Sequence, residues 1–320
     1  MTMGTLYLDR RYATMACRGS TLILSRADAD TQSIPLSLLD RVVVHGKVST
    51  DTATLGKLAD AGIAVSLLSG RHGRHRASLL GMPGKEVKRR LAQYDAYRDA
   101  TVRLDLARCF LLRKLAGQQR LLMRAAARRP DLRFPLRKAW VRLRALRGEL
   151  KAEVHDLDSL LGIEGAAAAA YFEAYAGLFP SALGFHGRKR RPPPDPVNAL
   201  LSLGYTLLHN EAVKAIHAAG LDPYLGYLHA PAHGRASLAS DFVEPLRPRY
   251  DALVWWAFRE RVFRAHDFTR DSGGCLLSKH ARERYYRLYE HHASPARRWL
   301  RLALHAFVRR LNPSKDDTHG

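Results

Sequence analysis

Cysteine is scarce in this 320-residue chain: only Cys17, Cys109 and Cys275 occur, odd in number and far apart. That excludes a disulfide framework and a Cys-rich zinc centre, and it fits a reducing cytoplasm. Long apolar runs are lacking too. No stretch approaches the roughly 18 residues a membrane-spanning helix needs, and the alanine run at 166–170 is too short and too weakly hydrophobic to count. The opening residues, MTMGTLYLDRRYA, show no basic start followed by an apolar stretch, so neither a secretory leader nor a membrane span is expected. Acidic residues are also in short supply. Thirty Asp and Glu face 52 Lys and Arg, giving a formal charge of +22 and a pI near 10.4. A protein that needed only solubility has no reason to carry that surplus. Its natural partner is a polyanion, and phosphodiesters are the obvious one.

Motifs of other chemistries are missing as well. Gly81-Met82-Pro83-Gly84-Lys85 has a P-loop flavour, but its glycine spacing is wrong and Glu86 stands where Ser or Thr is required. No G-x-S-x-G elbow occurs. Tyr285, Tyr286 and Tyr289 could mimic a recombinase nucleophile, yet with Leu288 they fall at helical spacing and read as packing residues.

With 47% hydrophobic residues there is ample material for burial, and a chain of this length usually divides in two. The short runs TLYL, TLILS, RVVVHG, IAVSLLS and RASLLG read as strands. One helix interrupts them, with Thr50 or Asp51 as N-cap and Gly62 as its stop. The segment at 81–84 acts as a hinge, beyond which the period changes from two to about 3.6. The reading is α+β: a small N-terminal β-sandwich-like domain over 1–82, a larger all-helical domain over 83–310, and a flexible tail at 311–320. Further helices are expected near 197–219, 238–262 and 276–309.

The charge is uneven. Residues 1–84 carry ten basic and six acidic side chains, whereas 103–151 carry fifteen and three. In a helical projection Arg113, Arg120 and Arg124 share a narrow arc, as do Arg137, Arg144 and Lys151 after the prolines at 130 and 135. The loop HGRKRRPPPDP adds Arg188, Lys189, Arg190 and Arg191, and Arg235 follows Gly234 in another loop. These are either solvated faces or grips on a nucleic-acid backbone.

Glu164 falls in a stripe with Leu157, Leu160, Leu161, Ala168 and Tyr171, where a carboxylate must find a cation, a metal or a proton. An arginine salt bridge and metal ligation are both open. In GYLHAPAHGRASLASDFVEPLRP, His229 precedes Asp241 and Glu244, which are three apart on one side of a helix that Ser237 could cap. The two carboxylates either share a cation or complement a helix dipole. One imidazole with two or three carboxylates suits Mn²⁺ or Mg²⁺ and is poor for structural zinc.

The order and spacing of several strings resemble the CRISPR-associated Cas one family of adaptation integrases over almost the whole length. They are TLYLD, LDRVVVHGKVSTDTATLGKLADAGIAVSLLS, IEGAAAAAYF, DPVNALLSLGYTLLHNEAVKAI and GYLHAPAHGRASLASDFVEPLRP. The resemblance implies a catalytic, metal-binding trio of Glu164 in IEG, His229 in GYLH and Glu244 in DFVE. Asp241 matches an acidic position beside the site, as a further ligand or not. Asn198 matches as a helix-start residue, and Tyr171 as a core aromatic with a possible DNA-facing hydroxyl. The implied reaction is attack by the 3′-hydroxyl of a short double-stranded DNA fragment on a phosphodiester of a repeat array, without a covalent enzyme intermediate. Pairing of two copies through the β-rich domain, and a small Cas two partner joining two such homodimers into a heterohexamer, are implied as well. Two alternatives are a non-catalytic, basic nucleic-acid scaffold and a transposon-borne integrase with the same chemistry.

Overall fold

The computed structural model describes residues 4–9, 13–26, 29–69, 75–82, 86–152, 156–189, 192–271 and 274–311. The N-terminal part contains β1 (Gly4–Leu8), β2 (Ala13–Arg18), β3 (Thr21–Arg26), β4 (Ala29–Pro35), β5 (Leu39–His45), β6 (Val48–Thr50), helix α1 (Thr52–Asp60), β7 (Ala64–Leu68) and β8 (His75–Leu79). They form two four-stranded sheets, ordered β1-β5-β7-β8 and β4-β3-β2-β6. In the first, β1, β5 and β7 are parallel and β8 is antiparallel to β7, with Val42 registered on Val65.

Strand β5 shows why this sheet sits inside. A parallel strand covered on both faces reads as a continuous apolar run rather than an alternating one. Val42 and Val44 face the core shared with Met15, Leu22 and Leu24 of the second sheet, while Val43 turns to the helical core. Helix α1 begins where expected, the Asp51 carboxylate accepting from the Thr54 N–H, and Gly62 follows it at φ +70°.

The rest is mainly helical: α2 (Val87–Arg98), α3 (Ala100–Arg128), α4 (Arg133–Ala152), α5 (Leu157–Ala176), α6 (Pro196–Ala218), α7 (Ser237–Val243), α8 (Arg247–Arg259) and α9 (Lys279–Leu311). Asp99, Asp156 and Asp195 cap α3, α5 and α6 with side-chain hydrogen bonds, each satisfying donors the first turn leaves free.

The C-terminal part is not all-helical. A hairpin of β9 (Phe268–Asp271) and β10 (Gly274–Leu277) precedes α9. Its alternation, with Phe268, Cys275 and Leu277 buried, spans only four residues per strand and is hidden by the helical texture on either side. Gly274, at φ +107°, brings the chain within reach of Pro193, whose carbonyl accepts from the Cys275 N–H. The helix expected over 238–262 is also two helices, parted by a 3₁₀ turn at Glu244–Leu246. Pro245 and Pro248 lack the amide hydrogens an unbroken helix would use. The described part of the hinge is Gly81 and Met82. Of the expected tail only Leu311 is described, and it ends α9.

A buried ionic cluster joins the β unit to the helices. Arg41 of β5, 1% exposed, donates to Glu211 of α6. Arg297 of α9 binds both Glu211 and Glu290, and Tyr7 of β1 donates to Glu290 at 2.7 Å. Alongside, the Tyr7 and Tyr286 rings stack at 4.2 Å and Arg282 pairs with Asp9.

Candidate metal centre

The GYLH run and α7 are built around one carboxylate. Asp241 is fully buried, and its Oδ2 accepts the backbone N–H groups of Tyr227 (2.6 Å) and Leu228 (3.1 Å). Its Oδ1 accepts the His229 N–H (3.0 Å) and the His229 ring Nδ1 (2.7 Å). Burial pushes the Asp241 carboxyl above its ordinary range, against the pull of His229 and the backbone donors. Four donors fill the acceptor positions of a carboxylate, so Asp241 has none left for a metal. Asp241 Oδ1 thereby holds the His229 ring in place. His229 Nε2, the ring nitrogen not held by Asp241, stands 3.8 Å from Glu244 Oε1.

Two details hold this loop. Gly226 admits no side chain, since a Cβ there would lie 2.7 Å from the His229 carbonyl oxygen. Ser237 does not cap α7: its hydroxyl donates to the Ala230 carbonyl at 3.0 Å, and no side chain caps that helix. Neither carboxylate lies in the first turn of α7, and Glu244 instead opens the 3₁₀ turn that follows.

Glu244, at the 3₁₀ turn, is 1% exposed. Its Oε1 lies 3.1 Å from Arg247 Nη2 and its Oε2 lies 2.7 Å from Lys114 Nζ. Burial raises the Glu244 carboxyl, but Arg247, Lys114 and His229 outweigh it and bring it down to about 2. Oε2 is buried, and the Lys114 ammonium is its charged partner. Arg247 is itself held over the Tyr205 ring, 4.8 Å from its centre.

Glu164, halfway along α5, finds a cation as its setting demands, but a lysine rather than an arginine. Lys114 Nζ of α3 donates to Glu164 Oε1 at 2.5 Å. The Glu164 side chain is 25% exposed against 1% for Glu244, so Glu164 stands at the mouth and Glu244 at the floor. Leu160 and Tyr171 of the expected stripe are buried, whereas Leu161 is exposed.

The expected trio therefore meets in pairs: Glu164 and Glu244 share Lys114, and His229 faces Glu244. Among the described residues no three His, Cys, Asp or Glu side chains are placed to hold a metal ion together. The donor set nevertheless suits a hard divalent cation: two carboxylates gathered on one ammonium and an imidazole nitrogen 3.8 Å from one of them.

Of the expected DNA contacts, Arg113, Arg120 and Arg124 are exposed on α3, and Arg137 and Arg144 on α4. Arg120 and Arg124 line a groove with Arg249, Trp256 and Trp299. Lys189 is exposed, its N–H donating to Asn198 Oδ1. Arg235 is half-buried, and Arg190 lies outside the described residues. Asn198 also donates to Gly187 and Asp195, in keeping with a helix-start residue. Tyr171 does not offer its hydroxyl to DNA, because that group donates to buried Asp251 at 2.8 Å. Tyr285, Tyr286 and Tyr289 are buried packing residues.

The profile of the family described as CRISPR associated protein Cas1 matches residues 6–291. The chain belongs to the Cas1 family. It is 35% identical to the CRISPR-associated endonuclease Cas1 1 of Thermodesulfovibrio yellowstonii, over 99% of this chain and 100% of that one. The enzyme and CRISPR-adaptation readings of the sequence are thus borne out at the level of the family. The fold is similar to that of a casposase bound to integration product (TM-score 0.84, 22% identity, 98% of this chain and 92% of that one). It also matches part of a Cas6-RT-Cas1–Cas2 complex (TM-score 0.78, 25% identity, 95% of this chain and 35% of that one).

Lys114 and Arg247 escape the sequence reading. For Lys114 a signal exists: it follows Phe110 and Leu111 and precedes Leu115 and Leu122 on the apolar side of α3, where a cation needs a reason. Arg247 lies one helical turn beyond Glu244, the spacing of an i, i+3 pair.

Proposed function

We propose that this Cas1-family chain is a divalent-metal-dependent DNA integrase and endonuclease. It would join the 3′-hydroxyl of a short double-stranded DNA to a phosphodiester of a repeat array. The observation that carries the reading is that Glu164 and Glu244, eighty positions apart, converge on one cation, with His229 Nε2 3.8 Å from Glu244 Oε1. Family membership supports the same reading.

Glu164, His229 and Glu244 would hold Mg²⁺ or Mn²⁺, which when bound supplies Lewis acidity to the phosphodiester and lowers the pKa of the attacking hydroxyl. The chain's own share is positioning and charge. Asp241 fixes the imidazole, and Arg247 and Lys114 place positive charge beside the carboxylates. The arginines of α3 and α4 neutralise the approaching backbone. Phosphoryl transfer needs these and no protein nucleophile, since the 3′-oxygen forms the new P–O bond as the repeat's own 3′-oxygen leaves. Water in place of the hydroxyl gives hydrolysis at the same site.

Residues 1–82 would serve as the pairing unit of a homodimer and 83–310 as the catalytic, DNA-binding part. A Cas2 partner is supported by the Cas1–Cas2 neighbour, and it would join two dimers into a heterohexamer. No helix among the described residues is long and apolar enough to cross a membrane, and the cysteines suit a cytoplasmic setting.

The test is insertion of labelled fragments into a supercoiled repeat plasmid, with and without Mn²⁺ and Cas2. Glu164→Gln, His229→Ala and Glu244→Gln are expected to abolish joining while DNA binding persists. Joining at the wild-type rate in any of them overturns the assignment. A scaffold would bind DNA equally well in EDTA and never join ends.

A further inference from the structure

Lys114 brings one ammonium to both Glu164 and Glu244. Its residue is 5% exposed, and its ammonium lies 2.5 Å from Glu164 Oε1 and 2.7 Å from Glu244 Oε2. Its backbone belongs to the middle of a 29-residue helix packed against α4 and α5. The neighbours Leu111 and Leu115 are fully buried. The charge is therefore tethered to a fixed element, unlike an ion that exchanges with solvent. A divalent ion binds carboxylate oxygens at about 2.0–2.2 Å, closer than the ammonium lies now, and two cations cannot share the space between the same two oxygens.

We propose that Lys114 is a tethered stand-in for the metal: its ammonium holds Glu164 and Glu244 together in the metal-free protein and must leave the space between them before a divalent ion can bridge them. This rests on the metal reading of the site given above. It accounts for Glu164 and Glu244 lying against one ammonium without being driven apart. Displacement releases a positive charge beside the ion, where a phosphate entering the site can take it as a partner. Metal binding and substrate binding would thereby be coupled.

The apparent dissociation constant of a site is the intrinsic one divided by the fraction of time in which the site is free. A lysine in place nine-tenths of the time weakens metal binding about tenfold. Mn²⁺ affinity is measured on the full chain by the electron paramagnetic resonance of free Mn²⁺, for wild type and for Lys114→Gln, Lys114→Arg, Arg247→Gln and Glu244→Gln. Lys114→Gln is expected to tighten Mn²⁺ binding by about tenfold or more. Lys114→Arg keeps a cation and stays near wild type. Arg247→Gln removes a positive charge from Glu244 without clearing the bridging position, and gains distinctly less than Lys114→Gln. In EDTA the melting temperature of Lys114→Gln falls below that of wild type, and Mn²⁺ raises it by more than it raises wild type.

Unchanged or weaker Mn²⁺ binding in Lys114→Gln overturns the proposal, as does equal tightening in Arg247→Gln, which would mark a general charge effect. If Lys114→Gln folds neither with nor without Mn²⁺, the unsubstituted protein decides. Amine-reactive labelling of Lys114, read by mass spectrometry, should speed up several-fold when Mn²⁺ is added, and an unchanged rate overturns the proposal. Failure of the underlying metal reading is distinguishable, because Glu244→Gln would then bind Mn²⁺ as wild type does.

Discussion

Asp241 accepts hydrogen bonds at four positions, and an amide can supply acceptors at only two of them. Asp241→Asn would turn an NH₂ group toward donors and loosen both the loop and the imidazole. Loss of such an orienting partner typically lowers metal affinity and activity by about 10–100-fold. We expect that loss in a Mn²⁺ titration and in the insertion assay, with salt-dependent DNA binding retained. A second residue-level expectation concerns His209 of α6. Burial, then the positive groups His75, Arg247 and Arg235, depress its pKa to about 4. The folded protein thus refuses a proton that the unfolded chain accepts near the ordinary histidine value of about 6.5. Stability from His209 is complete above pH 6.5 and declines as the pH falls toward 4, by about 2 kcal/mol between pH 7 and 5. Urea denaturation should show that loss in wild type and a shallower one in His209→Leu.

At the scale of elements, the loop between α6 and α7 is the most exacting. Gly226→Ala would press a methyl group against the His229 carbonyl and Ser237. Since both are backbone or tightly packed, the loop must shift and carry His229 with it. We expect insertion activity to fall by at least about tenfold, because misplacement of about 1 Å can cost a hundredfold, while the far-ultraviolet circular dichroism of this mainly helical chain stays near wild type.

The elements also show what the residues reveal on inspection. RVVVH reads as a buried strand because its run is apolar on both sides, and α3 and α4 read as helices through their leucine spacing. Strands β2 (ATMACR), β4 (ADTQSIP) and β6 (VST) pass unread because their sheet carries polar, partly exposed residues with little alternation. Glu164, His229 and Glu244 are legible because carboxylates and an imidazole in those motifs have a specific chemistry. Lys114 is legible only in part: its place on the apolar side of α3 marks it, but a helical projection does not tell that Glu164 and Glu244 wait opposite.

For the molecule as a whole, exposed arginines on α3 and α4 predict strong dependence of DNA affinity on salt. If roughly six phosphates are neutralised, affinity should drop by about a thousandfold between 50 and 200 mM salt, a slope readable by fluorescence anisotropy. A flat titration would remove the electrostatic footprint from the argument. Charge inversion at Arg120 and Arg124 should lower the slope, and equal slopes would place the contacts elsewhere.

The buried cluster of Arg41, Glu211, Arg297 and Glu290 sets a mechanical condition on any assembly. Swinging the β unit against the helices would strip several buried charges of their partners, a penalty of several kcal/mol for each ion left unpaired. Each copy therefore behaves as one solid piece. If copies join through their β units, the span between their cutting centres is fixed by how the copies clasp one another, and an incoming DNA must fit that span rather than adjust it.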